Sequence, residues 1–508
     1  MMALLKSRWF WLILFTANFI LRLPTLWTPI LDIDESQFAE FAHVLMDGGL
    51  PFIDSLDTKP LGIYLWYASL FFVFGKQAMW AIHLATTLWV FLTAFCLSRI
   101  FYEFGRRAPG RAAALLYIIF ASSFIPKFLA TSINSVMVLF LVLSVWMVVR
   151  GDRKGGIRWD LLGGLSLGVA FLFKYQAGIQ TVWFTLFLLP FWVFRTGQGW
   201  GRFILRHLLF GGMFLLPFVI HGLVLAKVGA WDDFSFWSFE GSRRYISSAS
   251  QTVNFWGNLS VRFGGFVVGT AVLWMLAFWG LWRQGIWTRQ GWKDPLFVMS
   301  VLWLAMSWIP VSMGARFFSH YFIQILPALC AVAALKMEGM QFHLPKWMMG
   351  LMAVLVIVFF GMRLDHRAHL EFAPDDQIYE QQAVGEFLQS VSQEDDHLFV
   401  WGFATNIYFH SKMRPSSRFL WTDWQTGRVP GSKGDESDKK NDYKFDRAWD
   451  ELWQDFQDKP PKFFVDASGL GSKYQDHPIS RYPDLNQYLV DHFNKLSELE
   501  GVVVYQRR

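Results

Sequence analysis

Asp32, Asp34 and Glu35 place three carboxylates within a stretch of four residues, Asp32-Ile33-Asp34-Glu35. A carboxylate held at a surface can act as a general base toward a hydroxyl that arrives there. Three carboxylates this close could also hold a divalent cation through oxygen ligands. The structural alternative is a helix start. Asp34 would lie near the N-cap and Glu35 in the first turn, where the helix dipole favours acids. A second group is Asp57-Thr58-Lys59-Pro60. Lys59 could be a fixed cation for a lipid phosphate, or a snorkelling lysine that anchors an interface. A third is Arg316-Phe317-Phe318-Ser319-His320-Tyr321, just after Gly314. One helical turn would bring Arg316, His320 and Tyr321 to one mouth. His320 could donate to a phosphate, ligate a metal, or hydrogen-bond within its helix.

The elements that must position these groups are set by composition. Of 508 residues, 54% are hydrophobic and only 17% charged. Soluble chains carry about 25% charged residues. The apolar surplus falls in blocks of membrane-spanning length. They lie near 9–27, 77–101, 111–126, 133–149, 159–174, 178–194, 204–226, 263–282, 296–313, 317–335 and 347–363. The run 61–74 is shorter, which favours an interfacial or re-entrant helix. The positive-inside rule decides its status. If 61–74 does not cross, basic connections such as Arg106-Arg107, Arg150 to Arg158, Arg202 to Arg206, and Arg283 to Lys293 all face the cytoplasm. The expectation is a polytopic all-α membrane protein of about eleven spans. Its N-terminus is cytoplasmic, its first span is a retained anchor, and its C-terminus lies outside. The net charge of +6 is spread between apolar blocks, which argues against nucleic acid. Cys96 and Cys330 both lie in apolar segments, so they suggest neither a disulfide framework nor a thiolate metal site.

Three segments then face outward: 28–60 with the interfacial helix, 227–262, and the tail 364–508. Phe38, Phe41, Ala42 and Leu45 recur at helical spacing, so 35–47 reads as an amphipathic helix on the membrane surface. Phe234, Phe236, Trp237 and Phe239 give the second segment an interfacial character. The tail reads as a small soluble α/β domain. Strands are expected at 397–401, 462–466 and 502–505, helices at 376–391 and 484–497, and a mobile loop at 430–442. Outward cations at the membrane edge are Lys127, Lys174, Arg243, Arg244, Arg262 and Arg316. A positive-inside protein has little reason to keep these outside, and a convergent set would bind a phosphate or pyrophosphate headgroup. His43, His83 and His221 are isolated and give no metal spacing.

The order of first span, outward Asp-Glu, helix, Lys-Pro and short interfacial helix resembles the GT-C glycosyltransferase superfamily. So does the glycine-rich run Gly163-Gly164-Leu165-Ser166-Leu167-Gly168 that leads to Lys174. The pattern is most similar to the bacterial branch of the protein O-mannosyltransferase family, which includes the lipid A aminoarabinose transferases. Arg316 to Leu329, and Val400-Trp401-Gly402 with Arg414 to Arg418, add weaker likeness. The resemblance implies a glycosyltransferase domain over 1–363 and a periplasmic domain over 364–508. It implies inverting transfer of a sugar from a polyprenyl-phosphate donor in a bacterial inner membrane. The acceptor would be lipid A, lipopolysaccharide or another glycolipid, with a protein hydroxyl as the alternative. Asp34 matches the catalytic acid of the first loop, Glu35 its acidic neighbour, and Lys59 the lysine near the lipid phosphate. Arg243, Arg244, Arg316 and His320 are candidates for the donor phosphate. Asp32, Asp57, Lys127, Asn134 and Lys174 are candidates for the acceptor or a secondary role. Some relatives carry Asp where this chain has Asn134. No cofactor is required by these residues, though a divalent cation stays open. The rival classes are a lipid-linked-sugar flippase and a non-catalytic assembly protein.

Overall fold

A computed structural model of the chain describes residues 5–122, 128–188, 199–252, 254–337, 350, 354, 377–429, 443–470 and 474–508. Most of residues 5–337 is helical, as a bilayer demands of any segment whose backbone polar groups cannot reach water. The chain is a multi-pass membrane protein. Among the described residues, four helices are long and apolar enough to cross a bilayer: Met79–Glu103, Ile133–Lys154, Trp200–Lys227 and Pro295–Ser312. The expected span 263–282 is broken. Helices Phe255–Gly269 and Ala271–Gln284 meet at an angle of 83°. Other expected spans fall on shorter helices, including Phe10–Arg22, Arg107–Ala121 and Ile157–Phe171. The expected span 317–335 is a 3-10 turn, Ser319–Gln324, followed by Leu326–Ala334. The expected span 347–363 and the loop 430–442 lie outside the described residues, apart from Gly350 and Val354.

Small residues fix how the bundle closes. A Cβ on Gly164 would collide with the carbonyl of Phe210, and one on Gly168 with that of Phe214. The helices Ile157–Phe171 and Trp200–Lys227 therefore touch backbone to backbone, the use membrane helices make of closely spaced small residues. Gly62 does the same at the start of Gly62–Phe74. Its N–H donates to the carbonyl of Leu172 at 2.8 Å, and a side chain there would meet that carbonyl. This junction ties the Lys59 loop to the Lys174 loop.

The tail forms a five-stranded sheet in the order β2-β1-β3-β5-β4. β1 is His397–Trp401, β2 Arg414–Pro415, β3 Phe463–Asp466, β4 Phe493–Leu499 and β5 Val502–Arg507. β1 pairs parallel with β2 and β3, and β5 pairs antiparallel with β3 and β4. The three expected strands and the helix Ile378–Val391 are present. The expected helix 484–497 is shorter. It ends at His492, and Phe493 begins β4. Glu500 and Gly501 both have positive φ, 52° and 79°, which turns β4 into β5 as a tight hairpin.

This domain is built into the membrane part. Leu56 and Trp237 belong to its hydrophobic core, where Trp237 packs against Phe419, Trp424 and Phe445. Leu56 N–H donates to the carbonyl of Arg418 at 3.0 Å, Lys459 pairs with Asp54 at 2.6 Å, and Arg447 pairs with Asp233. The helix Ile33–Met46 was expected to lie on the membrane surface. It is instead enclosed, with ten of its fourteen residues buried. Phe41 stacks on Tyr64 of the Gly62–Phe74 helix, and the Ser36 hydroxyl meets that of Thr405 at 2.8 Å. Gln37 and Glu40 are buried as well, Gln37 donating to Asp57 and Glu40 meeting His43. Trp237→Ala should therefore cost about 3–5 kcal/mol of domain docking. Faster proteolysis of the tail or increased amide exchange in it would report the loss, and an unchanged pattern would count against the shared core.

Candidate functional site

The enclosed helix begins at the acids. Asp32 is the N-cap, and its Oδ1 accepts the N–H of Asp34 at 2.9 Å. The cap is thus Asp32, two residues before the position expected from sequence. Glu35 is fully buried and both its oxygens are engaged. Oε1 accepts from Thr131 N–H at 2.5 Å and faces His83 Nε2 at 3.0 Å, and Oε2 accepts from Leu31 N–H at 2.7 Å. His83 Nδ1 faces the carbonyl of Thr25 at 2.6 Å. The His83 ring is thus clamped between Glu35 and the Thr25 carbonyl. Glu35 is thereby a positioning group, not the reacting acid paired with Asp34 that the sequence suggested. Asp34, one residue back, is partly exposed and lies within electrostatic reach of Lys59, Lys174 and Tyr321.

Asp57 organises the second loop. Its Oδ2 accepts from Gln37 Nε2 at 2.8 Å, from Lys59 Nζ at 2.8 Å, and from the Tyr64 hydroxyl. Its Oδ1 accepts the N–H of Thr58 at 2.6 Å. This saturation suits holding Lys59 and leaves Asp57 poorly placed to meet an acceptor. Lys59 keeps 35% of its side chain exposed and lies 5.7 Å over the Phe38 ring. Burial works against its charge. Attraction and hydrogen bonding from Asp57, joined by Asp34, outweigh that and raise its pKa above the ordinary lysine range.

Arg316 carries the least compensated charge. Its side chain is buried at 1% exposure, and none of its three guanidinium nitrogens has a hydrogen-bond partner among the described residues. It lies 3.9 Å over the ring of Tyr245. Gly314, Ala315 and Phe317 all have positive φ, at 80°, 56° and 48°. For Ala and Phe that conformation costs about 1–3 kcal/mol each, a strain that clusters at ligand sites. The turn replaces the expected helical one, so Arg316 and His320 are not one turn apart on a helix. His320 stacks on Phe318, with ring centroids 5.9 Å apart, and packs edge-on to Tyr321. Tyr245 reaches Tyr321, over whose ring Lys174 Nζ lies at 3.8 Å. Lys174 also donates to Asn134 Oδ1 at 3.4 Å. Asp34, Lys59, Lys174, Tyr321, Tyr245 and Arg316 thus form one connected polar group beneath the tail domain.

Other expectations fall elsewhere. Arg243 and Arg244 were expected at the donor phosphate. Both pair with Glu240, at 2.7 and 3.0 Å. Their hydrogen bonds draw the Glu240 pKa down to about 2. Arg244 also reaches the carbonyl of Lys444 and lies over Phe445, which makes it a docking contact for the tail. Lys127 lies outside the described residues. Among the described residues, no group of three or more His, Cys, Asp or Glu side chains is placed to hold a metal ion. Glu35, one of the proposed oxygen donors, is already saturated by protein. Sequence reasoning missed His83, Gln37, Tyr64 and Tyr245. The spacing of Asp57, Lys59 and Tyr64 across a short loop and one helical turn was the available signal for Tyr64.

The structure is thus a helical membrane bundle with an acid, two lysines and an arginine gathered beneath a small sheet domain. Comparison with known proteins agrees. Residues 58–226 match the family described as dolichyl-phosphate-mannose-protein mannosyltransferase. The structure is similar to that of ArnT from Cupriavidus metallidurans bound to undecaprenyl phosphate. The TM-score is 0.64 at 14% identity, with 98% of each chain covered. The apo structure of the same protein gives 0.58 at 13% identity, with 97% of each chain covered. The archaeal oligosaccharyltransferase AglB from Archaeoglobus fulgidus, in complex with an inhibitory peptide and a dolichol-phosphate, gives 0.52 at 11% identity. That match covers 90% of this chain and 68% of AglB. No curated protein sequence matches the chain. The resemblance to the GT-C superfamily read from the sequence is therefore borne out in the fold.

The two neighbouring acids should respond differently to substitution. Glu35→Ala leaves His83 Nε2, the buried Thr131 N–H and the part-buried Leu31 N–H without this partner and should cost about 3–5 kcal/mol. Asp34→Ala should lower the melting temperature far less than Glu35→Ala, since Asp34 is only partly buried. Thermal denaturation in detergent checks this, and equal losses would refute the division of roles.

Proposed function

We propose that the chain transfers a sugar from a polyprenyl-phosphate donor to an acceptor hydroxyl or phosphate at the outer face of a bacterial inner membrane. The observation that carries this reading is Arg316: a buried guanidinium with no hydrogen-bond partner among the described residues, held by a strained turn and linked through Tyr245 and Tyr321 to Lys174, which itself lies within electrostatic reach of Lys59 and Asp34. A buried cation with no protein counterion is costly to keep. Its retention is explained by an anionic ligand that completes it, and phosphate suits a guanidinium fork.

The reaction then follows from the residues. The donor phosphate lies between Arg316 and Lys59, with Lys174 adding positive charge. The acceptor oxygen attacks the anomeric carbon on the face opposite the phosphate. The new C–O bond forms as the bond to the phosphate oxygen breaks, and the polyprenyl phosphate leaves with that electron pair. Asp34 takes the proton of an acceptor hydroxyl, and inversion results. The phosphate is a good leaving group, so charge neutralisation and positioning supply most of the rate. General-base assistance adds about 10²–10⁴-fold. An envelope glycolipid is the favoured acceptor, and a protein hydroxyl is the alternative that product analysis separates.

Asp34→Asn should lower turnover by at least about 10²-fold while donor binding stays close to wild type. A transfer assay with radiolabelled polyprenyl-phosphate sugars, run beside a donor-binding assay, measures both. Undiminished turnover would remove Asp34 as the base. Arg316→Met separates ligand binding from structure. Removing a buried unpaired charge should leave thermal stability equal or higher. Donor affinity should fall by at least about tenfold, as loss of a charged partner does. Retained donor affinity in a folded variant would sink the phosphate assignment.

A further inference from the structure

The far end of the bundle carries a second concentration of charge that the reaction does not use. A cavity of about 600 Å³ opens there, lined by Arg99, Arg107, Arg111, Arg153, Lys154 and Glu103. Trp11 and Tyr102 complete its wall. The helix Ile133–Lys154 runs from Asn134, beside Lys174, to this cavity, a length of about 33 Å. The two sites therefore lie near opposite faces of the membrane.

Five cations surround one carboxylate, and that carboxylate is already committed. Glu103 Oε1 accepts from Arg150 at 2.8 Å, and its Oε2 lies 3.7 Å from Lys154. Arg99 has neither a hydrogen bond nor an ion pair among the described residues. It is half-buried over the rings of Tyr102, at 4.9 Å, and Phe95 and Trp146, at 6.0 and 5.9 Å. Arg107 is exposed and likewise unpaired among the described residues. Arg111 is fixed by its bonds to the carbonyls of Leu5 and Ser7, at 2.8 and 2.9 Å, and to the Tyr102 hydroxyl. The positive-inside tendency explains basic loops at this face. It does not explain guanidiniums gathered around a concavity, one of them held by three aromatic rings.

We propose that this cavity binds a phosphate group, carried by an anionic lipid headgroup or free in solution. Planar guanidiniums recognise phosphate oxygens in pairs. Basic pockets between membrane helices are suited to lipid headgroups. The neighbouring surface favours the lipid source. Leu12 and Ile13, which flank Trp11, are 58% and 45% exposed and offer an apolar track for acyl chains.

The test uses the full-length protein in neutral detergent, with two probes. Phosphatidylglycerol binding is counted by native mass spectrometry, and inorganic phosphate binding by calorimetry. Wild type should bind one phosphatidylglycerol saturably. Affinity should fall about fivefold in Arg107→Gln, whose exposed side chain leaves folding unaffected, and by a similar factor in Arg99→Gln. Arg158→Gln removes an exposed cation outside the cavity and should change nothing. Saturable binding of inorganic phosphate alone, lost in the same two variants, supports the site with a soluble anion as its ligand. The proposal is overturned if neither probe binds saturably, or if Arg158→Gln weakens binding as much as Arg107→Gln.

Discussion

A carboxylate removed from water must be met by donors on every side, and Glu35 is the place where this protein meets that demand. Its partners come from three parts of the chain: the Leu31 loop, His83 at the head of a long helix, and the start of Ile133–Lys154 through Thr131. The network can form in only one arrangement of these elements. Once it has formed, the first turn of the Ile33–Met46 helix cannot rotate. Asp34 precedes Glu35 by about 100° around the helix axis, so fixing one acid in the bundle fixes the other toward Lys59 and Lys174. The adjacency of two acids, which looked like a shared chemical role, separates into one group that orients and one that is left accessible.

Asp57 applies the same logic with a different result. Glu35 is enclosed with a histidine inside the bundle. Asp57 gathers Gln37, Tyr64 and Lys59 at the edge of a partly open space. Lys59 keeps its charge because of Asp57, but the pair is neutral as a unit. The positive balance of the site therefore comes from Lys174 and Arg316. Both are held by contacts that leave charge uncancelled: a ring face and an amide oxygen for Lys174, and a ring face for Arg316. Aromatic faces stabilise a cation by about 0.5–2 kcal/mol without neutralising it.

Much of this was legible in the sequence, and the limits have physical causes. Long apolar helices and the three strands of the tail follow from periodicity and residue type. The exact number of spans does not, because helices enclosed by protein need not match bilayer length. The 83° break at Thr270 shows how far an apolar run can depart from one straight span. The helix Ile33–Met46 has the apolar spacing of a surface helix, but its polar residues are buried. They face Thr405, Asp57 and His83 instead, partners up to about 370 positions away in the chain. Arg243 and Arg244 were read by charge alone, and Glu240 claims both at helical spacing. The strained turn around Arg316 has no local signal beyond Gly314, because Ala315 and Phe317 rarely take positive φ.

Asn134 links these observations. A carboxylate there would pair with Lys174 much as Asp57 pairs with Lys59, and the site would lose a cation. The amide oxygen at 3.4 Å gives Lys174 a hydrogen-bond partner without cancelling its charge. Burial and repulsion from Lys59 pull the Lys174 pKa down to about 7, so an anion arriving beside it favours its charged form. With Lys174 so charged, Asp34, two lysines, Arg316 and the committed Asp57 carry a balance of one positive charge. An incoming phosphodiester carries about one negative charge and brings the site close to neutrality. When the bond to the sugar breaks, the phosphate gains a further negative charge while Asp34 takes up a proton. The residues flanking the phosphate thus face a growing charge, and the base across from it is losing its own. In the proposed reaction, the amide at position 134 helps hold positive charge where that charge develops.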